Sequence, residues 1–346
     1  MSGPEEMQPR APQGDMEMKI LFCGLDYHTY TRSIIAEMEL LGATVRYVDI
    51  QPRGFGCQVL RITSPQAYSK YRDRIHQEAI RESEAIAYDQ VVFLQAHQIN
   101  LENLSRLREQ QRKAQFTLYN WDSLAIHDYR AQARLFDRVL TFDQQDAQGN
   151  QFGYLPLFCQ RSMQSLRRGL ALPRTTYMVG NISKIQRYKA VEVFRDYCRN
   201  TGIEFRQHLK VTPVVWSQLV RAGIWPKTIS FRSISTAGFN EMIEASAAVF
   251  DFANHTQTGM TMRLMESLCA GKKILTNNKW VKQEPFYSPD RIHVFDELNF
   301  DGVDDFLRKP LAEPDADFSE YHVQHFTRQL LGMAPLSPVQ PMICNQ

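Results

Sequence analysis

AAVFDFANHTQTGMTMRLMESLCAGKKILTNN, residues 247–278, is the stretch from which the rest of the chain can be read. Ala248–Phe252 is a short apolar run suited to a buried strand. A polar turn follows, then helical spacing from about Met260 to Ala270, and a second apolar run at Lys273–Thr276. On such a helix Gly259, Arg263 and Glu266 stand at i, i+4 and i+7 and share one face. Thr258 and Thr261 add hydroxyls beside the glycine, and the N–H groups of the first turn point outward. A glycine turn at the positive end of a helix dipole is a seat for an anion. Arg263 offers a charge-assisted contact to a phosphate, and Glu266 an acceptor for a pair of ribose hydroxyls, so a nucleotide diphosphate fits. A capped helix carrying a surface Arg/Glu pair uses the same residues, and spacing alone leaves both readings open.

Outward from this stretch the same grammar repeats. Lys19–Cys23, Thr44–Asp49, Gln90–Leu94, Phe116–Tyr119, Asp137–Thr141 and Tyr154–Leu157 are short apolar runs separated by helical patterns, which is the signature of a parallel sheet covered by helices. Periodicity fades over Phe158–Arg174, a basic, Leu-rich link, and restarts with Thr175–Val179 and Phe205–Val211. The chain of 346 residues is long for one core and suits two domains of roughly 150 residues each. The expected division is a disordered lead-in (1–16), a first α/β domain (17–160), a linker (161–174), a second α/β domain (175–318), a closing helix (319–332) and a flexible tail (333–346).

With 43% apolar and 23% charged residues and no run long enough to cross a membrane, the composition is that of a soluble globular chain. A formal charge of +2 gives no overall field for nucleic acid, although Arg161, Arg167, Arg168 and Arg174 form a local basic cluster. Six cysteines (Cys23, Cys57, Cys159, Cys198, Cys269, Cys344) lack metal spacing and are expected as thiols in a reducing compartment, which places the protein in the cytoplasm.

In doubly wound folds ligands sit at the carboxyl ends of the strands, and this selects the loops that carry chemistry. Asp26, Tyr27, His28 and Tyr30 follow the first strand. Asp26 or His28 can act as a general base there, or Asp26 can simply cap a helix. Asn120–Ser123 brings Trp121, a platform for a sugar ring or a prop between domains, and Asp122, an N-cap or an acceptor contact. Gly180, Ser183, Lys184 and Arg187 open the second domain. Cations at a helix start oppose the dipole, which points to an anionic ligand or to a solvated basic turn. His255 and Gln257 lie in the turn before Gly259. No metal-binding motif is present, and a metal-independent mechanism without a bound cofactor is expected.

The segment 251–278 resembles the donor-binding region of bacterial GT-B glycosyltransferases, and within them the transferases of capsule, exopolysaccharide and lipopolysaccharide clusters related to the spore-maturation type. GLDYHTYTRSIIAEMELLGATV, YNWDS, FDRVLTFDQQDA, YLPLF, VGNISKIQRYK and FYSPDRIHVFD agree in order and position, so the resemblance covers nearly all of the chain beyond residue 17. It implies two Rossmann-like domains facing across a cleft with a C-terminal closing helix. It also implies a nucleotide-sugar donor held by the second half, and a glycan or lipid-linked glycan acceptor on the first. Glu266 matches the family's ribose glutamate, with Gly271 five residues on. Thr258 stands where the family usually has an acid, so the donor sugar is the departure.

The expected activity is sugar transfer to a hydroxyl of a bacterial surface glycan. Gly180, Ser183, Lys184, Arg187, His255, Gln257, Thr258, Gly259, Thr261, Arg263 and Glu266 would hold the donor, and Tyr27, Tyr30, Trp121 and Asp122 the acceptor. Such acceptors leave room for peripheral membrane contact at the inner face of the membrane. Two rivals stand beside this reading: a nucleotide-sugar epimerase, and a non-catalytic GT-B scaffold or nucleotide-sugar sensor partnering another transferase.

Overall fold

The computed structural model describes residues 18–26, 29–166, 172–253 and 257–336. Two parallel six-stranded sheets are built in succession. The first contains β1 (Met18–Gly24), β2 (Ala43–Asp49), β3 (Gln90–Leu94), β4 (Gln115–Asn120), β5 (Arg138–Thr141) and β6 (Gly153–Tyr154), in the order β2-β1-β3-β4-β5-β6. The second contains β7 (Leu172–Ile182), β8 (Glu204–Val211), β9 (Ile229–Ser230), β10 (Ser246–Asp251), β11 (Lys273–Thr276) and β12 (Ile292–Val294), in the order β12-β11-β10-β7-β8-β9. That second order is the doubly wound dinucleotide-binding one, with its switch point between β7 and β10.

Strand residues alternate between two faces, as the pleat requires. Ile20 and Phe22 enter a core shared by both halves, while Leu21 and Cys23 enter the outer core of the first sheet. Val249 joins the shared core, and Ala248 and Phe250 the outer core of the second sheet. The shared core is closed by the C-terminal helix Val323–Leu330, which returns to the first half. Its Phe326 packs on Tyr119 and Phe158, and Arg138 donates to the carbonyls of Gln329 and Leu330. The expected α/β architecture of two doubly wound halves with a closing helix is therefore the one observed.

Three local expectations need correction. The closing helix expected over 319–332 starts only at Val323, after a short 3-10 turn, and ends at Leu330. Cys159 and Cys269 are joined by a disulfide across 110 positions, so the reading of every cysteine as a thiol fails at this pair, and with it the main argument for a reducing compartment. Arg161 pairs with Glu37 and Arg174 with Asp304, so neither is spare charge for a basic patch; Arg167 and Arg168 lie outside the described residues. Among the described residues no helix is long and apolar enough to cross a membrane.

Candidate donor and acceptor site

The site grows from one buried carboxylate. Asp251 ends β10, fully buried, and a charge so placed must be paired and hydrogen-bonded. Thr261 Oγ1 donates to its Oδ1 at 2.8 Å and Arg263 Nη1 at 2.7 Å. Arg263 Nε donates in turn to the carbonyl of Val179 at the end of β7, 2.7 Å away. A Cβ on Gly180 would stand 2.5 Å from Arg263 Nη2, so the glycine leaves the guanidinium room to lie across β7. Arg263 is thus pinned at the switch point between β7 and β10.

Beside it, β7 ends at Ile182 and the chain passes through Ser183 into the helix Ile185–Thr201, whose N-cap Lys184 makes no side-chain cap. Arg187 sits in the first turn, half-buried, its Nη1 donating to the Asn181 carbonyl at 3.1 Å. Burial, and then the charge of Arg263, lower its pKa to about 10, with Asp251 acting the other way. Two arginines that repel each other at the positive end of a helix are arranged for an anion.

Glu266, on the helix Met262–Cys269, is buried and accepts a hydrogen bond from Tyr30 of the first half at 2.8 Å. Burial pushes its pKa up to about 7, against the opposing effects of the Tyr30 hydrogen bond and the Arg263 charge. Burial, followed by the Glu266 charge, also raises the Tyr30 phenol. These groups face a cavity of about 1000 Å³ between the halves. Of the residues selected from sequence, Tyr30, Asp122, Gly180, Ser183, Lys184, Arg187, Gln257, Thr261, Arg263 and Glu266 line it. Asp122 contributes a half-buried carboxylate that accepts from Gln95 Nε2 at 2.6 Å and from Gln257 Nε2 at 3.4 Å. Burial raises its pKa, opposed by the Gln95 hydrogen bond and the charge of His127.

Thr258 and Gly259 are placed differently from expectation. The helix starts only at Met262, with Thr261 as N-cap accepting from the Leu264 N–H, so Gly259 is not on it. The backbone N–H groups of Thr258 and Gly259 donate to Asp143 Oδ2 at 2.7 and 3.4 Å, and Thr258 Oγ1 donates to Asp143 Oδ1 at 2.7 Å. A Cβ on Gly259 would meet the Phe142 ring at 2.3 Å and its carbonyl at 2.6 Å. The glycine does permit a close approach, but of the first half's own backbone. The anion at this turn is the chain's own carboxylate.

Asp26 also stands apart: Arg53 Nη1 donates to its carbonyl at 2.6 Å and to Oδ2 at 3.4 Å, and it does not line the cavity. Trp121 packs against the shared core rather than lining the cavity. Tyr27, His28 and His255 lie outside the described residues. Sequence reasoning assigned no role to Asp251 or Asp143, and missed the wall formed by His208, Lys210, Ser233–Thr236, Phe239 and Asn240. An acid ending the otherwise apolar run AAVF, and the strand-end rule applied to β8, were signals available for part of this.

Neither a family model nor a curated protein sequence matches this chain. Solved structures do match it. The apo lipopolysaccharide outer core galactosyltransferase WaaB is 14% identical, with a TM-score of 0.56 over 91% of this chain and 99% of that one. An α-glucosyltransferase in complex with UDP and mismatched DNA is 10% identical, with a TM-score of 0.58 over 91% and 95%. A UDP-forming α,α-trehalose-phosphate synthase from Burkholderia vietnamiensis is 11% identical, with a TM-score of 0.55 over 91% and 96%. At these identities the likeness is one of fold, and the fold is GT-B.

Proposed function

We propose that the chain is a glycosyltransferase that moves a sugar from a nucleotide donor to a hydroxyl of a bacterial surface glycan, free or lipid-linked. The observation that carries this reading is the convergence of Arg187, Arg263 and Lys184 with the buried Glu266 in one cavity at the switch point of the second sheet. Arg187, Arg263 and Lys184 neutralise the diphosphate as it leaves, with the N-terminus of the helix Ile185–Thr201 behind it. Preorganised cations of this kind stabilise the leaving charge without a metal ion. Glu266 exchanges its bond from Tyr30 for the ribose hydroxyls. On the acceptor side Asp122, rather than Asp26, takes the part of general base: it is the acidic side chain of the first half that lines the cavity among the described residues, and a carboxylate with a raised pKa is suited to that work. His28 is its rival.

Support for a uridine nucleotide comes from the UDP in the α-glucosyltransferase of the same fold. The acceptor class is supported only by the resemblance of sequence and by WaaB. The deciding experiment is a thermal-shift titration of the full chain with UDP, other nucleoside diphosphates and their sugars, with Glu266→Ala alongside. A nucleotide that raises Tm in the wild type and not in the variant locates the donor site. A flat response to every nucleotide removes the transferase reading and brings the scaffold forward.

A further inference from the structure

Residues 205–240 contain no Asp or Glu in 36 positions, in a chain that carries 38 acids, and they hold Arg206, Lys210, Arg221, Lys227 and Arg232. This segment forms the outer edge of the second sheet: β8, the helix Pro213–Arg221, and the edge strand β9. Large aromatic side chains stand in solvent along it, with Trp225 71% exposed, Phe231 55% and Trp216 38%. Between them Arg221, Lys227 and Arg232 are exposed, and none forms an ion pair among the described residues. The helix itself is two-faced, burying Leu219 against the outer core and turning Val214 and Trp216 outward. Nothing in the core calls for tryptophan at these exposed places, and isolated exposed apolar residues do not ordinarily gather with unpaired cations and no acid.

We propose that this edge, residues 213–232, docks on a bilayer surface containing anionic lipid. Tryptophan and phenylalanine settle at the boundary between headgroups and acyl chains, and unpaired Lys and Arg beside them are drawn to anionic headgroups. No acid within the segment itself opposes either. A bilayer suits the patch better than a nucleic acid, because the aromatic rings project from a helix and an edge rather than lining a groove. The same segment continues into the cavity wall at Ser233–Thr236. Docking therefore brings this wall of the cavity near the membrane, where a lipid-linked acceptor of the proposed function would lie. The docking surface itself stands on charge and exposure, independently of the catalytic reading.

The test is flotation of the full chain with vesicles of phosphatidylcholine alone and of phosphatidylcholine mixed with phosphatidylglycerol. Binding is expected only to the mixed vesicles, weakening as salt is raised. The triple variant Arg221→Gln/Lys227→Gln/Arg232→Gln should bind on the order of a hundredfold more weakly, given the contribution of each cation near such a surface. Trp225→Ser should lose about tenfold, as one large apolar side chain no longer leaves water. Because all four side chains are exposed, an unchanged Tm confirms that the variants fold. Failure to float with anionic vesicles overturns the proposal, as does flotation that the variants leave intact. Retention on single-stranded DNA without vesicle binding overturns it too, in favour of a soluble polyanion. None of these outcomes depends on whether a nucleotide binds the cavity.

Discussion

Two turns of this molecule look alike in sequence and differ in what they hold. Each follows a central strand of the second sheet, has a glycine close by (Gly180 within β7, Gly259 in the turn after β10), and enters a helix. After β7 the turn opens into the cavity, its N-cap is a lysine, and Arg187 sits uncomfortably in the first turn. After β10 the turn is closed, with the amides of Thr258 and Gly259 on Asp143 and no room at the glycine. Positive potential at a strand-end turn must be answered by a negative group. At one turn the protein supplies that group itself; at the other it leaves cations facing a cavity. A ligand site is marked by the deficit, not by the motif.

The strongest way to break the comparison is through Arg263, which belongs to both turns. Arg263→Ala strands the Asp251 carboxylate in the core, and removing one partner of a buried pair costs about 3–5 kcal/mol. Urea denaturation should show a loss of that size, with nucleotide binding abolished in the fraction still folded. Loss of binding with no loss of stability would mean that the hydroxyls of Thr261 and Thr276 suffice to hold Asp251.

Glu266 gives the next effect, and it is read by pH. Its folded pKa of about 7 lies above the ordinary 4.5, so the folded state holds a proton that the unfolded chain releases earlier. The contribution to stability is complete below pH 4.5 and is lost as the pH rises through 7, to the extent of about 3 kcal/mol. Glu266→Gln should flatten stability across this window. In the wild type, nucleotide affinity should rise over the same range, since ribose hydroxyls donate to the carboxylate and not to its acid. A wild-type stability that is level between these limits would show that Glu266 is already ionised.

Arg187 sharpens the contrast from the open side. Its burial and its repulsion by Arg263 are unfavourable in the unliganded fold, and the proposed diphosphate would relieve them. Arg187→Ala should weaken nucleoside diphosphate binding by about 1.5–3 kcal/mol, the worth of a hydrogen bond to a charged group. Its Tm should stay level or rise, a separation of stability from function seen where a site is held in an unfavourable arrangement. A variant that lost both together would make Arg187 a structural residue.

The architecture was largely legible because each buried strand is a short apolar run between turns. KILFC, QVVFL and AAVF could hardly be read otherwise. The helix Phe55–Thr63 was not legible, since Gly54 and Gly56 at its start read as loop, and β12 is too short to carry a period. In the site, Arg263, Glu266 and Gly180 were found because local spacing places them. The role of Asp143 was not legible because its partners lie 115 and 116 positions away, and Tyr30 meets Glu266 across 236. A glycine announces that something comes close; only the tertiary structure says what.

Asp143→Asn addresses that last point, and its expected effect on the ligand is the smallest. Asparagine keeps an oxygen at Oδ2 for the Thr258 amide, and its NH2 can donate to Thr258 Oγ1, but the N-cap bond that Oδ1 accepts from the Asp146 N–H is then lost. The charge on the amides is lost, and stability should fall by about 1–2 kcal/mol. Nucleotide affinity should move by less than ~0.5 kcal/mol, because the proposed seat of the diphosphate is the other turn. An affinity that rises about tenfold, a gain of ~1.4 kcal/mol, would instead mean that Asp143 competes with phosphate for the Thr258–Gly259 amides. The turn after β10 would then be a seat held shut by the first half, and the two turns would differ in occupancy alone.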